Sequence, residues 1–532
     1  MVRGDSPRIP RLRRARPRAI PSKRDPARVY APRVAEPGNP SLAPTAQVAD
    51  TRRRYAAAWP MLRDAGFPIG LLLIAAFVAL RTLAGPELLY LGWIFAAAAT
   101  AIAWPIAGMT VLAAIGPFTE ALTAQGQITA APVLVAVVGA SVALRVVISR
   151  RLPRLSAPLL LAVLILAGTA LGVANSFRLA GPELGMEAAR LWVPGIGGGL
   201  TVFLAAAWVG GQAELRPLLV VAASVAVAAI LSIADLASDG QIRSGPLGWL
   251  LRSDSVQDRL GGIIPAPNAV AAILLVALSV AVAALLFARR SEFRLLAAAA
   301  LPPIAIAMVL TYSRSALLGT VAVAGLLAWR IRRAAGVAVV LAALVVAIVL
   351  TPGFLTARGV PIDPTKPPSV GQTPGDEFRV AAWQASVRMW LDAPLTGHGF
   401  RSFEWLHREY GAVRLNAPHN EWLRLFAEEG LFVGIAGVGF AALTVISLLR
   451  RPGWVAIGAS AAAAGLFVMA SFNNPFLYTQ VNVPAFLVIG TGLGWALRAP
   501  TVRPDQPSDS DGQPSQDPPL GQAPDSEHSG RL

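Results

Sequence analysis

Three of the four histidines in this 532-residue chain, His398, His407 and His419, fall in one polar stretch between Pro352 and Glu429. Imidazole has the unperturbed pKa nearest neutrality, so it can take a proton from a hydroxyl without prior tuning. Guanidinium stays charged and grips phosphate oxygens through a planar fork of donors. The same stretch also carries Arg379, Arg388, Arg401, Arg408, Arg414 and Arg424. We therefore expect the chemistry of the protein here, as proton transfer and anion binding.

Metal and thiol chemistry have little support in the sequence. The chain has no cysteine, which excludes disulfides, thiolate catalysis and cysteine-based metal sites. The three loop histidines are nine and twelve residues apart, and these spacings match no helical ligand pair. His398 also stands between Gly397 and Gly399, in a predicted turn. We predict no metal site and no cofactor.

The surrounding sequence is that of a membrane protein. Hydrophobic residues make up 55% of the chain and charged residues 14%, with a mean hydropathy of +0.57. A water-soluble domain of this length needs far more polar surface to cover itself. The composition predicts an all-α polytopic membrane protein, because a helix satisfies its own backbone hydrogen bonds in lipid.

A spanning helix needs ~20 apolar residues to cross a hydrocarbon core of about 30 Å, and on that measure the chain has about 12–14 transmembrane helices. The fourteen predicted spans lie near residues 67–84, 88–104, 106–123, 129–149, 156–176, 190–210, 217–237, 266–288, 294–312, 315–330, 335–352, 430–449, 453–472 and 479–497.

The short basic turns predict the orientation, because arginine-rich short loops stay on the cytoplasmic side. All of them follow even-numbered spans: Arg150, Arg151 and Arg154; Arg289, Arg290 and Arg294; Arg330, Arg332 and Arg333; Arg450 and Arg451. Both termini are then cytoplasmic, and the histidine-rich loop, which follows the eleventh span, faces outside. The expected location is the bacterial plasma (inner) membrane.

The sequence divides into five predicted regions. Residues 1–64 form a basic disordered cytoplasmic arm, with fifteen arginines and lysines against five acidic residues. Such an arm favours anionic lipid headgroups over nucleic acid in a membrane protein, so no nucleic-acid partner is expected. A transmembrane bundle at 65–353, an extracytoplasmic loop at 354–429, further transmembrane helices at 430–498 and a disordered cytoplasmic tail at 499–532 complete the order.

The loop has its own internal order. Residues 376–392 read as an amphipathic helix, with Val380, Trp383, Val387 and Trp390 spaced by three and four, and we expect this helix at the membrane surface. A glycine-bracketed turn follows from Pro394 to Phe403. A second helix then begins in the segment NAPHNEWLRLFAEEG, with Asn416 as the predicted cap and Gly430 at the join to the next span.

The ordered motifs of residues 250–435 resemble the O-antigen ligase and polymerase superfamily. They are R-L-x-G-x4-P-N at 259–268, T-Y-S-R-S-A-x-L-G at 311–319, R-x3-W at 379–383, P-L-x-G-x-G at 394–399, H-N-x-W-L at 419–423 and E-x-G-L at 428–431. The resemblance implies a helical, GT-C-like fold of the lipid-sugar-dependent glycosyltransferase type, with the large loop over the site. It also implies metal-independent transfer of a glycan from a polyprenyl-diphosphate carrier to a glycan, lipid or protein acceptor, in surface polysaccharide assembly.

That reaction needs a base for the acceptor hydroxyl and fixed positive charge for the diphosphate. Within the resemblance, His419 is the predicted general base, and Arg259, Arg314 and Arg379 are the predicted diphosphate-binding residues of an inverting displacement. Asn420 and Glu421 could orient the substrate, and Glu421 or Glu428 could hold the imidazole tautomer. His398 and His407 lack the motif context, and we expect structural or binding roles for them.

Other readings of the same residues remain open. His419 could merely start a helix, Arg259 and Arg314 could be headgroup anchors, and Arg379 could belong to the polar face of the surface helix. At the level of the whole protein, a transporter or flippase of lipid-linked sugars is the main alternative to an enzyme, and a non-enzymatic assembly scaffold is a third reading. Transporters of that kind place polar groups at the midplane and show repeated halves, and neither pattern is apparent in the sequence.

Overall fold

The computed structural model describes the helical body of the chain and its polar loop. The described residues are 65–80, 87–118, 130–149, 155–211, 215–244, 250–251, 259–262, 264, 266–339, 341–342, 376–412 and 415–498. The predicted arm at 1–64 and the predicted tail at 499–532 lie outside them, as do residues 343–375.

Nearly all of the described residues are helical, as the apolar sequence requires. The helices are α1 (Ala65–Leu80), α2 (Glu87–Ala103), α3 (Pro105–Ile115), α4 (Ala130–Ser149), α5 (Ala157–Trp192), α6 (Ile196–Gly210), α7 (Arg216–Ala237), α8 (Gln241–Ser244), α9 (Pro267–Phe287), α10 (Ser291–Leu310), α11 (Arg314–Ile331), α12 (333–339), α13 (Asp376–Asp392), α14 (Ser402–Leu406), α15 (Glu421–Leu449), α16 (Trp454–Ala470) and α17 (Thr479–Arg498). A 3₁₀ turn, Pro475–Leu477, joins the last two.

The prediction of an all-α polytopic membrane protein is confirmed. Within the described residues, eight helical stretches are long and apolar enough to cross a membrane, and four shorter apolar helices accompany them. Helices occur at thirteen of the predicted spans. The exception is the span at 335–352, most of which lies outside the described residues, so the predicted sidedness of the loop stays a prediction.

The contacts of α16 with α11 and α9 define the two ends of the bundle. A Cβ on Gly319 of α11 would collide with the backbone of Gly465 on α16, so these helices touch backbone to backbone. At the far end of the same pair, Arg330 donates to the carbonyl oxygens of Leu449 and Arg451, at 2.9 and 3.0 Å. Since α11 and α16 therefore run antiparallel, Arg314 at the start of α11 lies at the end of the bundle where α16 finishes.

The same reasoning places α9. Leu275 of α9 approaches Gly465, and Val280 and Ala283 approach Gly458, so α9 and α16 are antiparallel too. The start of α9, near Asn268, consequently lies at the end of the bundle where α16 finishes. We call this end the site end; the opposite end carries Arg289, Arg330 and Arg450.

Two of the helices break at glycines with left-handed backbone. Gly181 (φ +86°) interrupts α5 and Gly430 (φ +81°) interrupts α15. The predicted span at 156–176 is accordingly too short, since its helix runs on to Gly181. After the break the chain folds back, and the Trp192 ring nitrogen donates to the Thr169 hydroxyl at 2.9 Å. A Cβ at Gly172 of α5 would overlap the carboxylate of Glu429, so the two broken helices meet at the site end.

Candidate functional site

His419 lies immediately before the cap of α15. The helix begins at Glu421, and the side chain of Asn420 accepts hydrogen bonds from the backbone of Trp422 and Leu423, both at 3.1 Å. The predicted cap at Asn416 is therefore wrong. The chain is not helical at His419, because that residue has φ +51°. A left-handed histidine is uncommon and points to a local constraint.

The ring of His419 meets residues from two distant parts of the chain. Its Nδ1 lies 3.3 Å from Oδ1 of Asn473, in the turn after α16. Burial lowers the pKa of His419, the positive charge of Arg379 on α13 lowers it further, and the hydrogen bond with Asn473 partly opposes both. The imidazole is thus held neutral at neutral pH, which is the form that can accept a proton.

The turn that carries Asn473 is fastened to the start of α15 by its neighbours as well. Ser471 accepts a hydrogen bond from the indole of Trp422 at 2.9 Å. Asn474 donates to Glu421 at 3.2 Å. Three side chains of the segment 471–474 (the outer turn, below) therefore bind three nearly consecutive residues of the His419 segment.

A buried ionic network stiffens the first two turns of α15. Arg424 bonds to Glu421, three residues before it, and to Glu428 at 2.7 Å, four residues after it. Its guanidinium also lies 5.7 Å from the ring centre of Phe400. Glu421 and Glu428, which were candidates for holding the imidazole tautomer, therefore have Arg424 as their charged partner.

The glycine turn, residues 394–400, packs against the break in α15. Gly399 and His398 donate backbone hydrogen bonds to the carbonyl oxygens of Glu428 (2.8 Å) and Ala427 (3.2 Å). A Cβ at Gly397, which has φ +62°, would overlap the backbone oxygen of Glu428. The spacing of glycines in P-L-x-G-x-G is thus explained by close contact between two backbones.

The other side of the glycine turn binds α5. Phe400 donates its backbone N–H to Gly172 at 3.1 Å, and Ser176 donates its hydroxyl to the Phe400 carbonyl at 2.9 Å. Asn175 adds a hydrogen bond to the Gly397 carbonyl at 3.3 Å. The turn therefore clamps α5 to α15 at the site end.

His398 and His407 bond mainly to nearby backbone. Nε2 of His398 lies 2.9 Å from the carbonyl oxygen of Met389, and Nδ1 of His407 lies 2.9 Å from that of Glu404. Tyr410 packs on His398 and donates its hydroxyl to Asp392 at 2.6 Å; burial, followed by that hydrogen bond, raises the pKa of Tyr410 to about 12. These contacts brace the loop.

The predicted helix at 376–392 is confirmed as α13, with the predicted bounds. Its buried face is narrower than the spacing of its large side chains suggests, since Ala382, Ala385 and Met389 pack inward while Val380 and Val387 stay exposed. The exposed apolar side chains continue through Leu391 and Leu395 to the break at Gly430, beyond which lie Phe432, Ile435 and Val438. This arrangement suits a helix that rests on lipid beside α15.

Arg259 contacts the segment that precedes Arg314, at the site end of the bundle. Arg259 is 8% exposed, and it donates to the carbonyl oxygen of Thr311 at 2.9 Å and to Asn268 at 3.0 Å. Thr311 is three residues before Arg314, whose helix is capped by Ser313. The two sequence motifs, 259–268 and 311–319, are thereby joined through the Arg259 side chain.

The structure brings Arg379 and His419 together and puts Arg259 and Arg314 at the same end of the bundle. It adds Ser471, Asn473 and Asn474, which the motifs did not include. The available signal was the polar run S-F-N-N-P at 471–475 between two apolar helices. Within the described parts of the chain, no group of three or more His, Cys, Asp or Glu side chains is arranged to hold a metal ion.

Residues 299–438 match the family described as O-antigen ligase. The matched region includes Arg314, Arg379, the glycine turn and His419; Arg259 precedes it and Asn473 follows it. A search of curated proteins found no match to the chain. Residues 299–438 are therefore similar to the O-antigen ligase family, and the apolar helices are those of an integral membrane protein.

Proposed function

We propose that this protein moves a glycan from a polyprenyl-diphosphate carrier to an acceptor hydroxyl during surface polysaccharide assembly. The family supports glycan transfer in general; the donor and the mechanism are our proposal. The observation that carries it is the position of His419. A neutral imidazole lies before the α15 cap, under the positive charge of Arg379, at the end of the bundle where Arg259 and Arg314 also lie.

His419 is the general base in this proposal. Its neutral ring takes the proton of the acceptor hydroxyl while that oxygen forms a bond to the anomeric carbon. The bond from the anomeric carbon to the diphosphate oxygen breaks in the same step, and the diphosphate leaves with the electron pair. One displacement of this kind inverts the configuration at the anomeric carbon. No metal or other cofactor is required.

Arg259, Arg314 and Arg379 bind the diphosphate in this proposal. Charge develops on the leaving oxygen, and cations that are already fixed in place stabilise it without reorganising. Arg259 is held by Thr311 and Asn268, and Arg314 starts a helix whose cap is formed. We propose that Arg379, carried by the loop, completes the set and keeps His419 neutral.

The remaining partners follow from the same scheme. We place the site at the outer face of the bacterial plasma membrane, with both termini in the cytoplasm. The donor lipid then reaches the site from the membrane, and the acceptor is a glycan, a lipid or a protein. The exposed apolar face of α13 supports contact of the loop with membrane lipid.

The test is transfer by the purified full chain in vesicles that contain a polyprenyl-diphosphate-linked oligosaccharide and an acceptor glycan. We expect product, and we expect His419→Ala to lower the rate by about 100- to 10,000-fold while insertion into the membrane is unchanged. Translocation of the donor without product would favour a transporter, and neither activity would favour a scaffold. Undiminished transfer by His419→Ala would remove the base assignment.

A further inference from the structure

We infer that Asn473 is a positioning residue that fixes the tautomer of His419, with its side-chain oxygen accepting the Nδ1 proton so that Nε2 is the basic nitrogen. This inference rests on the proposed function for its catalytic meaning. The assignment of the tautomer rests on geometry alone, so the tautomer and the proposed function can be tested separately.

The pairing of these two side chains is specific. Oδ1 of Asn473 lies 3.3 Å from Nδ1 of His419, and Asn473 is only 5% exposed. An amide oxygen can only accept a hydrogen bond, and it does not titrate. In a neutral imidazole one nitrogen donates and the other accepts, so an acceptor at Nδ1 leaves the lone pair on Nε2.

The backbone on both sides of this pair is fixed. His419 lies between Pro418 and the capping residue Asn420, and its left-handed backbone limits where the ring can point. In the outer turn, Ser471 accepts a hydrogen bond from Trp422 and Asn474 donates one to Glu421. The amide and the imidazole are therefore carried by two segments that are bound to each other at two further points.

The charges around the ring explain why an amide suits this position. Arg379 faces His419 from α13, and Glu421 lies on α15 with its charge balanced by Arg424. From the outer turn, the side-chain amide of Asn473 bonds to the ring, and Asn474 donates to Glu421. A carboxylate at position 473 would fix the same tautomer but would stabilise the imidazolium. The amide orients the ring without adding negative charge.

The tautomer is tested without any assay of activity, by nitrogen NMR of ¹⁵N-histidine-labelled full chain in lipid. Only four histidines are present, so His398→Gln, His407→Gln and His528→Gln variants assign the signal of His419. We expect Nδ1 to be protonated in the wild type above the pKa of the ring, and Asn473→Leu to redistribute the proton towards Nε2. An Nε2-protonated ring in the wild type would overturn the inference, whatever the protein transfers.

The kinetic test compares Asn473→Asp with Asn473→Leu in the vesicle assay across pH. Asn473→Asp keeps an acceptor beside Nδ1 and should keep transfer, with the acid limb of the rate profile moved up by about one pH unit, because the carboxylate raises the pKa of His419. Asn473→Leu should lower kcat at least about tenfold with little change in KM, since the ring loses its orientation. An acid limb that does not move in Asn473→Asp would contradict the role.

Asn474→Ala is the matched control, because it alters the same turn and the same residue type without touching the ring. We expect it to reduce the amount of folded protein, since Glu421 loses a buried donor, while the His419 tautomer and the acid limb stay as in the wild type. If Asn474→Ala moved both in the same way as Asn473→Leu, the outer turn would have a general structural role, and the specific role of Asn473 would fall. Absence of transfer in the wild type, with Nδ1 still protonated, would count against the proposed function and leave the tautomer assignment standing.

Discussion

Two histidines border the first turns of α15, and they are held in different ways. His398 lies in the glycine turn, where its ring bonds to the backbone oxygen of Met389 and its own N–H bonds to Ala427. His419 lies in the segment before α15, where its ring bonds to the side chain of Asn473 and is under the charge of Arg379. Both stand in a polar loop and both are partly buried.

The difference separates a histidine that braces the fold from the one that we propose as the base. A backbone carbonyl offers a fixed acceptor and helps to bind one segment to another. A side-chain amide and a cation, each supplied by a distant element, set the proton position and the pKa of the ring independently. The surroundings of a histidine therefore say more about its role than its place in a loop does.

Gly397→Ala should have the largest effect on stability, because it disrupts the glycine turn that carries His398. A left-handed alanine costs about 1–2 kcal/mol, and its Cβ would overlap the backbone of Glu428, so we expect a loss of about 3–5 kcal/mol. Thermal unfolding of the purified protein in detergent measures this loss. Gly92→Ala in α2 is the control, since a Cβ there meets nothing within 4 Å. Equal stability of the two variants would contradict the close packing of the glycine turn.

Substitution of two neighbouring carboxylates of α15, Glu428 and Glu429, should give the next largest effect on stability. Glu428 bonds to Arg424, whereas neither oxygen of Glu429 has a hydrogen-bond partner among the residues that the structure describes. Removing one member of a buried pair is costly, so Glu428→Gln should lower the free energy of unfolding by about 2–3 kcal/mol. Glu429→Gln should cost much less. Thermal unfolding compares the two, and a larger loss in Glu429→Gln would mean that the pairing is misassigned.

His398→Ala should have a smaller effect, and it should change stability without changing the rate of transfer. It removes a hydrogen bond to Met389, which is typically worth about 1 kcal/mol of stability, and a 3.6 Å contact with the Asp392 carboxylate. The rate of transfer per folded molecule should stay near that of the wild type, in contrast to His419→Ala. Folded protein is quantified by size-exclusion chromatography before the vesicle assay. A loss of rate as large as that of His419→Ala would erase the distinction between the two histidines.

Arg379→Gln should give the smallest shift, which lies in the pH dependence of transfer and comes on top of the loss of rate expected from its proposed diphosphate contact. The cation disfavours the charged imidazolium, so its removal should raise the pKa of His419. Activity needs the neutral ring, and the rate should therefore begin to fall at a higher pH in the variant, by less than about one unit because solvent screens a partly exposed charge. Rate profiles across pH measure the shift. Arg388→Gln, on the same helix, is the control and should leave the acid limb in place.

Much of the helical framework could be predicted from the sequence. The bounds of α13 agree with those predicted for 376–392, because helical periodicity, a following proline and the charged ends are all local signals. The apolar spans were also predictable, since length and hydropathy decide whether a helix can cross lipid. The breaks at Gly181 and Gly430 have weaker local signals, and the predicted span ending at 176 was too short for that reason.

The motif residues of the site could be predicted from the sequence, but the distant residues that contact them could not. Arg314, Arg379 and His419 carry recognisable context along the chain. Asn473 is 54 residues from His419, and no periodicity connects them. The narrow buried face of α13 was not predictable either, because packing against α15 selected Ala382 and Ala385 over the larger Val380 and Val387.

By itself the sequence determined that this is a membrane protein and that three of its four histidines lie with several arginines in one polar loop. Both follow from composition and order, which act locally along the chain. Only the tertiary structure decided which histidine faces an amide and a cation, and which one faces backbone. The physical reason is that a proton position and a pKa depend on burial and on charges a few ångströms away, and those neighbours come from elements far apart in the sequence.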